Sequence, residues 1–303
     1  MTPVTDGKSN LRFIQEAKPR MGLADYIWLS QDGTHIEAKT LPICVFPNEE
    51  PRLPPCTISM PDPEHPRTLR QLMLSPAHYL PDPLRPQPSY IVLCEVRDQK
   101  GHPVPWCNRA NLRQLLPTGD GPDPYWWGIH QFWDTKSPEK NCSLGEVHIR
   151  ACLDSGLLIH DVCLSRSVRL WPSFKIGPRG FPKEVDVDPP SALVVGDHLW
   201  IARYLLARLA RAEGQDPHLS EFPLTLFFST AATRESSFAT RQLEPILLKS
   251  PVRSFGGSVQ TLMASPKCFY VRMDLLKAYD PYVAMGSVLE ALKEKESEKD
   301  PKD

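Results

Sequence analysis

The chain has 303 residues, 41% of them hydrophobic and 23% charged, with a formal net charge of −1. That length supports one large domain or a small and a larger one, each with its own core, and the balance is that of an ordinary globular protein. Near-neutral charge excludes a bulk field that would draw the chain to nucleic acid or an anionic membrane, and no apolar run approaches the roughly 20 residues needed to span a bilayer.

Met1 to Asn10 is polar and has no signal-peptide apolar stretch, so a cytoplasmic location is expected. After an N-terminal segment over 1–20, Ala24 to Ser30 (ADYIWLS) alternates and is rich in aromatics. The QDG turn and HIEAKTL follow, which predicts strand–turn–strand. The chain carries 33 prolines, about twice the usual share of around 5%. They concentrate over 42–88, where PNEEPRLPPC, PDPEHP and PDPLRPQP leave few backbone donors. An extended or partly disordered loop is expected there, with PxxP segments as a lesser possibility. Tyr90 to Val96 (YIVLCEV) reads as a strong strand closed by the RDQKG turn, so a small, mostly β domain is expected over 21–105.

The remainder, 106–295, reads as a larger mixed domain. Tyr125 to Trp133 is a strand candidate, and Glu146 to Leu157 a short amphipathic helix closing at Gly156. Arg169 to Ile176 looks extended, with Pro172 weakening it as a central strand. Gly196 to Glu213 is the best helix, with Asp197 as its expected cap and Leu199, Ala202, Leu205, Leu206 and Leu209 on one apolar face. Leu224 to Ser229 reads as a buried strand, and Thr230 to Leu248 as a helix that Pro245 should kink or end. Asp280 to Lys295 starts with Asp-Pro, a capped helix start. The charged tail, 296–303, is expected to be solvated and frayed.

Local chemistry is sparse. The eight cysteines form no CxxC and no zinc spacing with histidine, and read as buried reduced thiols. Glu184, Asp186 and Asp188 could line one face of a strand and suit a hard cation, but Lys183 and Pro189-Pro190 favour a solvated loop. His130 lies mid-strand and reads as structural; Trp126 and Trp127 with Phe132 and Trp133 read as core before they read as a stacking platform.

Several blocks resemble glutamine synthetase of the shorter, eukaryotic type. ADYIWLSQDG and YIVLCEV are similar to strands of that family's N-terminal domain. WWGIHQFW resembles its FGIEQEY strand, EVHIRACLDSGL its EAHYRACLYAG helix, and FKIGP its FQIGP. VGDHLWIARYLLARL resembles MGDHLWVARFLLHRV, FFSTAATRE resembles NFSTKAMRE, and YDPYVAMGSVLEAL resembles CDPYLVTEALIRT. The order is collinear from about Asp25 to Leu292. The resemblance implies an α+β fold, in which a small β-grasp-like N-terminal domain precedes a larger catalytic-type α/β domain with an antiparallel sheet, shortened here by deletions.

In that family two metal ions in a carboxylate-lined funnel clamp ATP while glutamate is phosphorylated and ammonia displaces the phosphate. Hard cations beside a triphosphate need several carboxylate oxygens. The family's ligand positions fall on His130, Phe132, Ser165, Ser173 (or Pro172), Thr225 and Val271, none of them acidic. Its ammonium-site DGSS loop falls around Ile58 to Pro61, and three substrate arginines fall on Gln260, Met273 and Asp274. The resemblance therefore implies a relative with no catalytic residues, bound metal or cofactor. Its partners would be copies of itself or an intact glutamine synthetase in an oligomer, with no nucleic acid and no membrane. A residual or altered ligase, and a decayed copy without selected function, are the alternatives.

Overall fold

The computed structural model describes residues 18–62, 65, 67–117, 124–135, 137, 140–164, 172–177, 190–217, 224–249, 255–265, 268–276 and 279–299. It is a mixed α/β fold on two sheets. The first sheet contains β1 (Arg20–Leu29), β2 (Ile36–Val45), β3 (Cys56–Pro61), β4 (Leu69–Pro81) and β5 (Tyr90–Arg97). Its strand order is β2-β1-β5-β4-β3, with β1 and β5 parallel and the other neighbours antiparallel. Gly33, at φ 69°, turns the chain between β1 and β2 as the QDG signal predicts.

β3 and β4 both lie in the proline-rich stretch, so the extended-loop expectation for 42–88 is corrected. The prolines sit where a missing N–H costs little. Pro42 is on the edge strand β2, Pro61 and Pro81 close their strands, and Pro76 stands at a register shift opposite β5. Ile58 to Pro61, expected to occupy a loop position, is likewise strand.

Next come α1 (Asn108–Leu115), β6 (Tyr125–Phe132), α2 (Asn141–Asp154), β7 (Ile159–Cys163), β8 (Ser173–Ile176) and α3 (Ala192–Ala212). They are followed by β9 (Leu224–Thr230), α4 (Ala231–Glu235), α5 (Ser237–Lys249), β10 (Ser258–Ser265), β11 (Cys268–Leu275) and α6 (Pro281–Lys299). The second sheet is antiparallel throughout, in the order β10-β11-β9-β6-β8-β7. α3 packs between the sheets. Its Leu199, Trp200, Leu205 and Leu206 share a core with Ile27 and Leu93 of the first sheet and with Trp127, Phe174, Leu226 and Val271 of the second.

Four helix expectations change in detail. α3 begins five residues before Asp197 and is capped by Ser191, whose hydroxyl accepts from the Val194 N–H at 3.4 Å. Asp197 is instead an interior residue, 1% exposed and held in an ion pair. The long helix after β9 divides at Ser236, which is extended (φ −143°, ψ 120°), while Pro245 stays inside α5 at an exposed position. α6 runs to Lys299, because a Lys/Glu-rich segment has high helix propensity and simply prolongs the helix that Asp280 starts.

Charged side chains buried between the sheets lock them together. Arg109 of α1 donates from Nε and Nη2 to the two carboxylate oxygens of Asp197, each at 2.8 Å, and from Nη1 to Glu95 of β5 at 2.8 Å. Tyr282 of α6 donates to Asp197 at 2.6 Å. A Cβ on Gly196 would lie 2.4 Å from Cε1 of Tyr282, so the glycine of the GDHLW block is there for close packing against the DPY block. A second lock joins Tyr204 of α3 to Asp25 of β1 at 2.6 Å, with Arg85 and Thr40 on the same carboxylate. Edge strand β10 is covered by α5: Glu244 accepts from the Thr261 N–H at 2.7 Å, occupying a donor that another strand could otherwise take.

Candidate functional site

The face of the second sheet turned away from α3 carries most of the positions singled out from the sequence. Side chains alternate along each strand, and directly paired residues share a face. Trp127, Ile129 and Gln131 of β6 point to the helix side, where Gln131 accepts from Arg203 of α3. His130 and Phe132 therefore project from the other side.

Pairing runs one row of residues across that open face. Asp161 pairs with Lys175, Lys175 with His130, His130 with Thr225, and Thr225 with Asp274. A neighbouring row joins Phe227, Arg272 and Gln260. Ser173 stands opposite Phe132, and it is 4% exposed.

Each carboxylate in these rows has a partner. Lys175 Nζ lies 2.5 Å from Asp161, which holds the Asp161 carboxyl below its ordinary range. Arg272 and Thr225 both donate to Asp274, at 3.1 and 2.7 Å. His130 packs on Phe132 with ring centroids 4.2 Å apart. Burial pushes its pKa down to about 4, and the nearby Lys175 and Arg272 charges push the same way. At neutral pH the row thus presents one uncharged imidazole between two closed ion pairs.

Two positions do not join this face. Val271 and Met273 pair with Phe228 and Leu226, are 0% exposed, and belong to the core on the α3 side. In β11 the residues on the open face are Arg272 and Asp274. Ser165 and the acidic run 184–188 lie outside the described residues. His148 is also elsewhere. It is buried between α2 and α3, with Nε2 2.9 Å from the Ala202 carbonyl oxygen and 3.2 Å from Cys152 Sγ. Burial lowers that imidazole to about 4 and raises the thiol, the reverse of an activated Cys–His pair.

Trp127 stacks on Phe228 at 4.5 Å inside the core and offers no surface to a base. The seven described cysteines are free; Cys94, Cys107 and Cys152 are buried as expected, whereas Cys44 and Cys163 are exposed. Lys175, Asp161 and Arg272 were not singled out from the sequence. The signal was available for one of them, since Arg272 and Asp274 are two apart on a strand and so share a face.

Among the described residues, no group of three or more His, Cys, Asp or Glu side chains is placed to hold a metal ion. Two hard divalent cations need six or more oxygen ligands each, several of them carboxylate. Among the described residues the open face supplies two carboxylates, both already paired, a donor set that does not fit such a pair.

Comparison with known proteins agrees with the blocks noted in the sequence. The chain is 25% identical over 242 residues to the glutamine synthetase of Emericella nidulans, covering 70% of this chain and 64% of that one. With the glutamine synthetase of Gallus gallus it is 25% identical over 288 residues, covering 85% and 70% respectively. Over most of its length the chain is similar to glutamine synthetases. A cytosolic glutamine synthetase isozyme of Daucus carota matches at 24% over 234 residues, or 67% of this chain and 62% of that one. No family model matches the chain. It spans a little under two thirds of the length of the first glutamine synthetases it matches. No helix among the described residues is long and apolar enough to cross a membrane.

Proposed function

We propose that this chain is a non-catalytic glutamine synthetase-like protein that does not join glutamate and ammonia with ATP and keeps the fold for association. The observation that carries this reading is the open face of the second sheet. Where the family needs clustered carboxylates for two cations, this face has one neutral histidine, a phenylalanine, a threonine and two closed ion pairs. Holding two divalent ions and a triphosphate there would leave their charge without anionic ligands, at a cost of several kcal/mol per ion.

On this reading His130, Phe132, Ser165, Ser173, Thr225 and Val271 are the altered metal-ligand positions, and Gln260, Met273 and Asp274 the altered substrate positions. The first sheet corresponds to the family's β-grasp-like domain, and deletions account for the shorter second part. The residues that match the family are those that pack, such as Gly196 against Tyr282 and Asp197 with Arg109. A fold maintained without its chemistry suits a cytoplasmic oligomer partner, either of its own copies or of an intact glutamine synthetase.

Sedimentation velocity of the purified chain, alone and mixed with an intact glutamine synthetase in magnesium and ATP, tests the association. The expected result is a discrete oligomer or co-sedimentation with the synthetase. A monomer that ignores the synthetase, or a broad aggregate, would instead indicate a decayed copy.

A further inference from the structure

A cleft of about 440 Å³ lies between the β1–β2 hairpin and the C-terminal half of α3, on a different part of the molecule from the open sheet face. Its volume falls in the range of small-molecule sites, roughly 300–1,000 Å³. Thr34, His35 and Ile36 form one wall; Arg203, Tyr204, Arg208 and Arg211 of α3 form the other, and Tyr279 and Asp216 close the ends.

Three guanidinium groups line this cleft against one carboxylate, and they differ in how they are answered. Arg208 is committed to Asp82 at 2.8 Å. Arg203 is 1% exposed, and no carboxylate among the described residues forms an ion pair with it. Its N–H groups go to neutral oxygens, the Gln131 side chain and the Tyr279 carbonyl, and its plane lies over the rings of Trp200 and Tyr279 at 4.6 and 4.5 Å. Burial depresses its pKa to about 10, while the nearby Tyr279 and Asp280 pull the other way. Each terminal nitrogen carries two N–H bonds, and one bond from each nitrogen accounts for these contacts. Arg211 is exposed and forms no ion pair among the described residues.

We propose that this cleft binds a small anion whose carboxylate or phosphate oxygens accept hydrogen bonds from Arg203 and Arg211, with the Thr34 side of the hairpin as the opposing wall. A planar guanidinium matches either oxyanion with paired hydrogen bonds, and a buried cation that forms no ion pair among the described residues gains more from an anion than a solvated one does. Asp216 works against binding. With Arg208 neutralised by Asp82, it still leaves two guanidinium groups facing one carboxylate. Arg211 also lies in the last turn of α3, where the helix dipole favours a cation without any ligand. That simpler role predicts an effect of Arg211 on stability but none on anion binding.

Calorimetric titration of the full chain with succinate in one arm and pyrophosphate in the other, at matched ionic strength with chloride as control, separates these roles. Saturable binding of either anion is expected, weakened about tenfold or more in Arg211→Gln and also weakened in Thr34→Val. Preference between the arms identifies a carboxylate or a phosphate ligand. No saturable binding in either arm, or binding that both variants leave unchanged, would overturn the proposal. Both substitutions fall outside the buried core, so the variants should fold. The outcome is independent of whether the chain ligates glutamate and ammonia.

Discussion

Arg109→Ala should destabilise the chain by about 3–5 kcal/mol, the usual consequence of removing one partner from a buried ion pair. The arginine is 8% exposed and bridges three elements: α1, where it sits, β5 through Glu95, and α3 through Asp197. Glu95 keeps Arg97 and Arg113 when Arg109 is lost. Among the described residues Asp197 keeps the Tyr282 hydroxyl but no ion-pair partner, leaving a carboxylate that is 1% exposed. A loss of this size is a large fraction of a typical 5–15 kcal/mol total. Arg109→Lys should recover little, because an ammonium cannot donate in parallel to both Asp197 oxygens while also reaching Glu95. Urea unfolding of the two variants beside the parent measures both losses; a shift below about 1 kcal/mol for Arg109→Ala would mean the ion pair does not hold the sheets together.

Acid should unfold the chain well above the pH at which carboxylates titrate. Burial holds His130, His148 and His198 at about 4 in the folded state, against an ordinary value of 6.5. His78 is pushed the same way and stacks near His198, with ring centroids 5.3 Å apart. The folded state therefore binds fewer protons than the unfolded chain between these values. The stability these histidines contribute is complete above about pH 6.5 and is lost as pH falls toward 4. His198 shows the cost of protonation in its geometry: Nδ1 accepts from the Leu158 N–H at 3.0 Å, a bond that a charged ring cannot keep. Asp280, whose carboxyl is raised by burial, acts in the opposite sense at the lower end of this window. Three such groups can remove several kcal/mol in total, on the order of 1.4 kcal/mol per pH unit for each proton taken up. Thermal unfolding from pH 7.5 to 4.5 should show a steep fall in Tm, and His148→Leu should flatten the profile by about one proton. A profile flat to pH 5 would show that the buried rings are not kept neutral.

The sequence carried the strands and helices that match its apolar periodicity, and the strand blocks and the GDHLW block were legible for that reason. It misled where one residue type has two uses. Asp197 has the chemistry of a helix cap, yet it lies inside α3 because Arg109, 88 residues earlier, supplies a buried cation that no local pattern reveals. The prolines of 42–88 read as strand breakers, but edges, ends and a register shift accommodate them, and those positions exist only once β4 has paired with β5. Pro245 should end a helix by propensity, whereas the chain breaks at the extended Ser236, which ends the short α4 that Thr230 and Thr233 start with a capping box.

At the candidate site, collinear matching located the strands but not which side of β11 each residue faces. Val271 and Met273 are apolar and two apart, next to Leu275, a period-two pattern that marks them as core. The pairing of Lys175 with Asp161 across β7 and β8 depends on strand register, which spacing along the chain does not give.

Metal-dependent γ-glutamyl transfer is the measurement that bears most directly on the proposed loss of chemistry. The purified chain would be assayed with ATP, glutamate and hydroxylamine in saturating magnesium or manganese, beside an intact glutamine synthetase. The expected rate is that of the protein-free reaction with either metal. A saturable rate that rises with metal and disappears on chelation would contradict it, and would mean that the open face of the second sheet still assembles a working site.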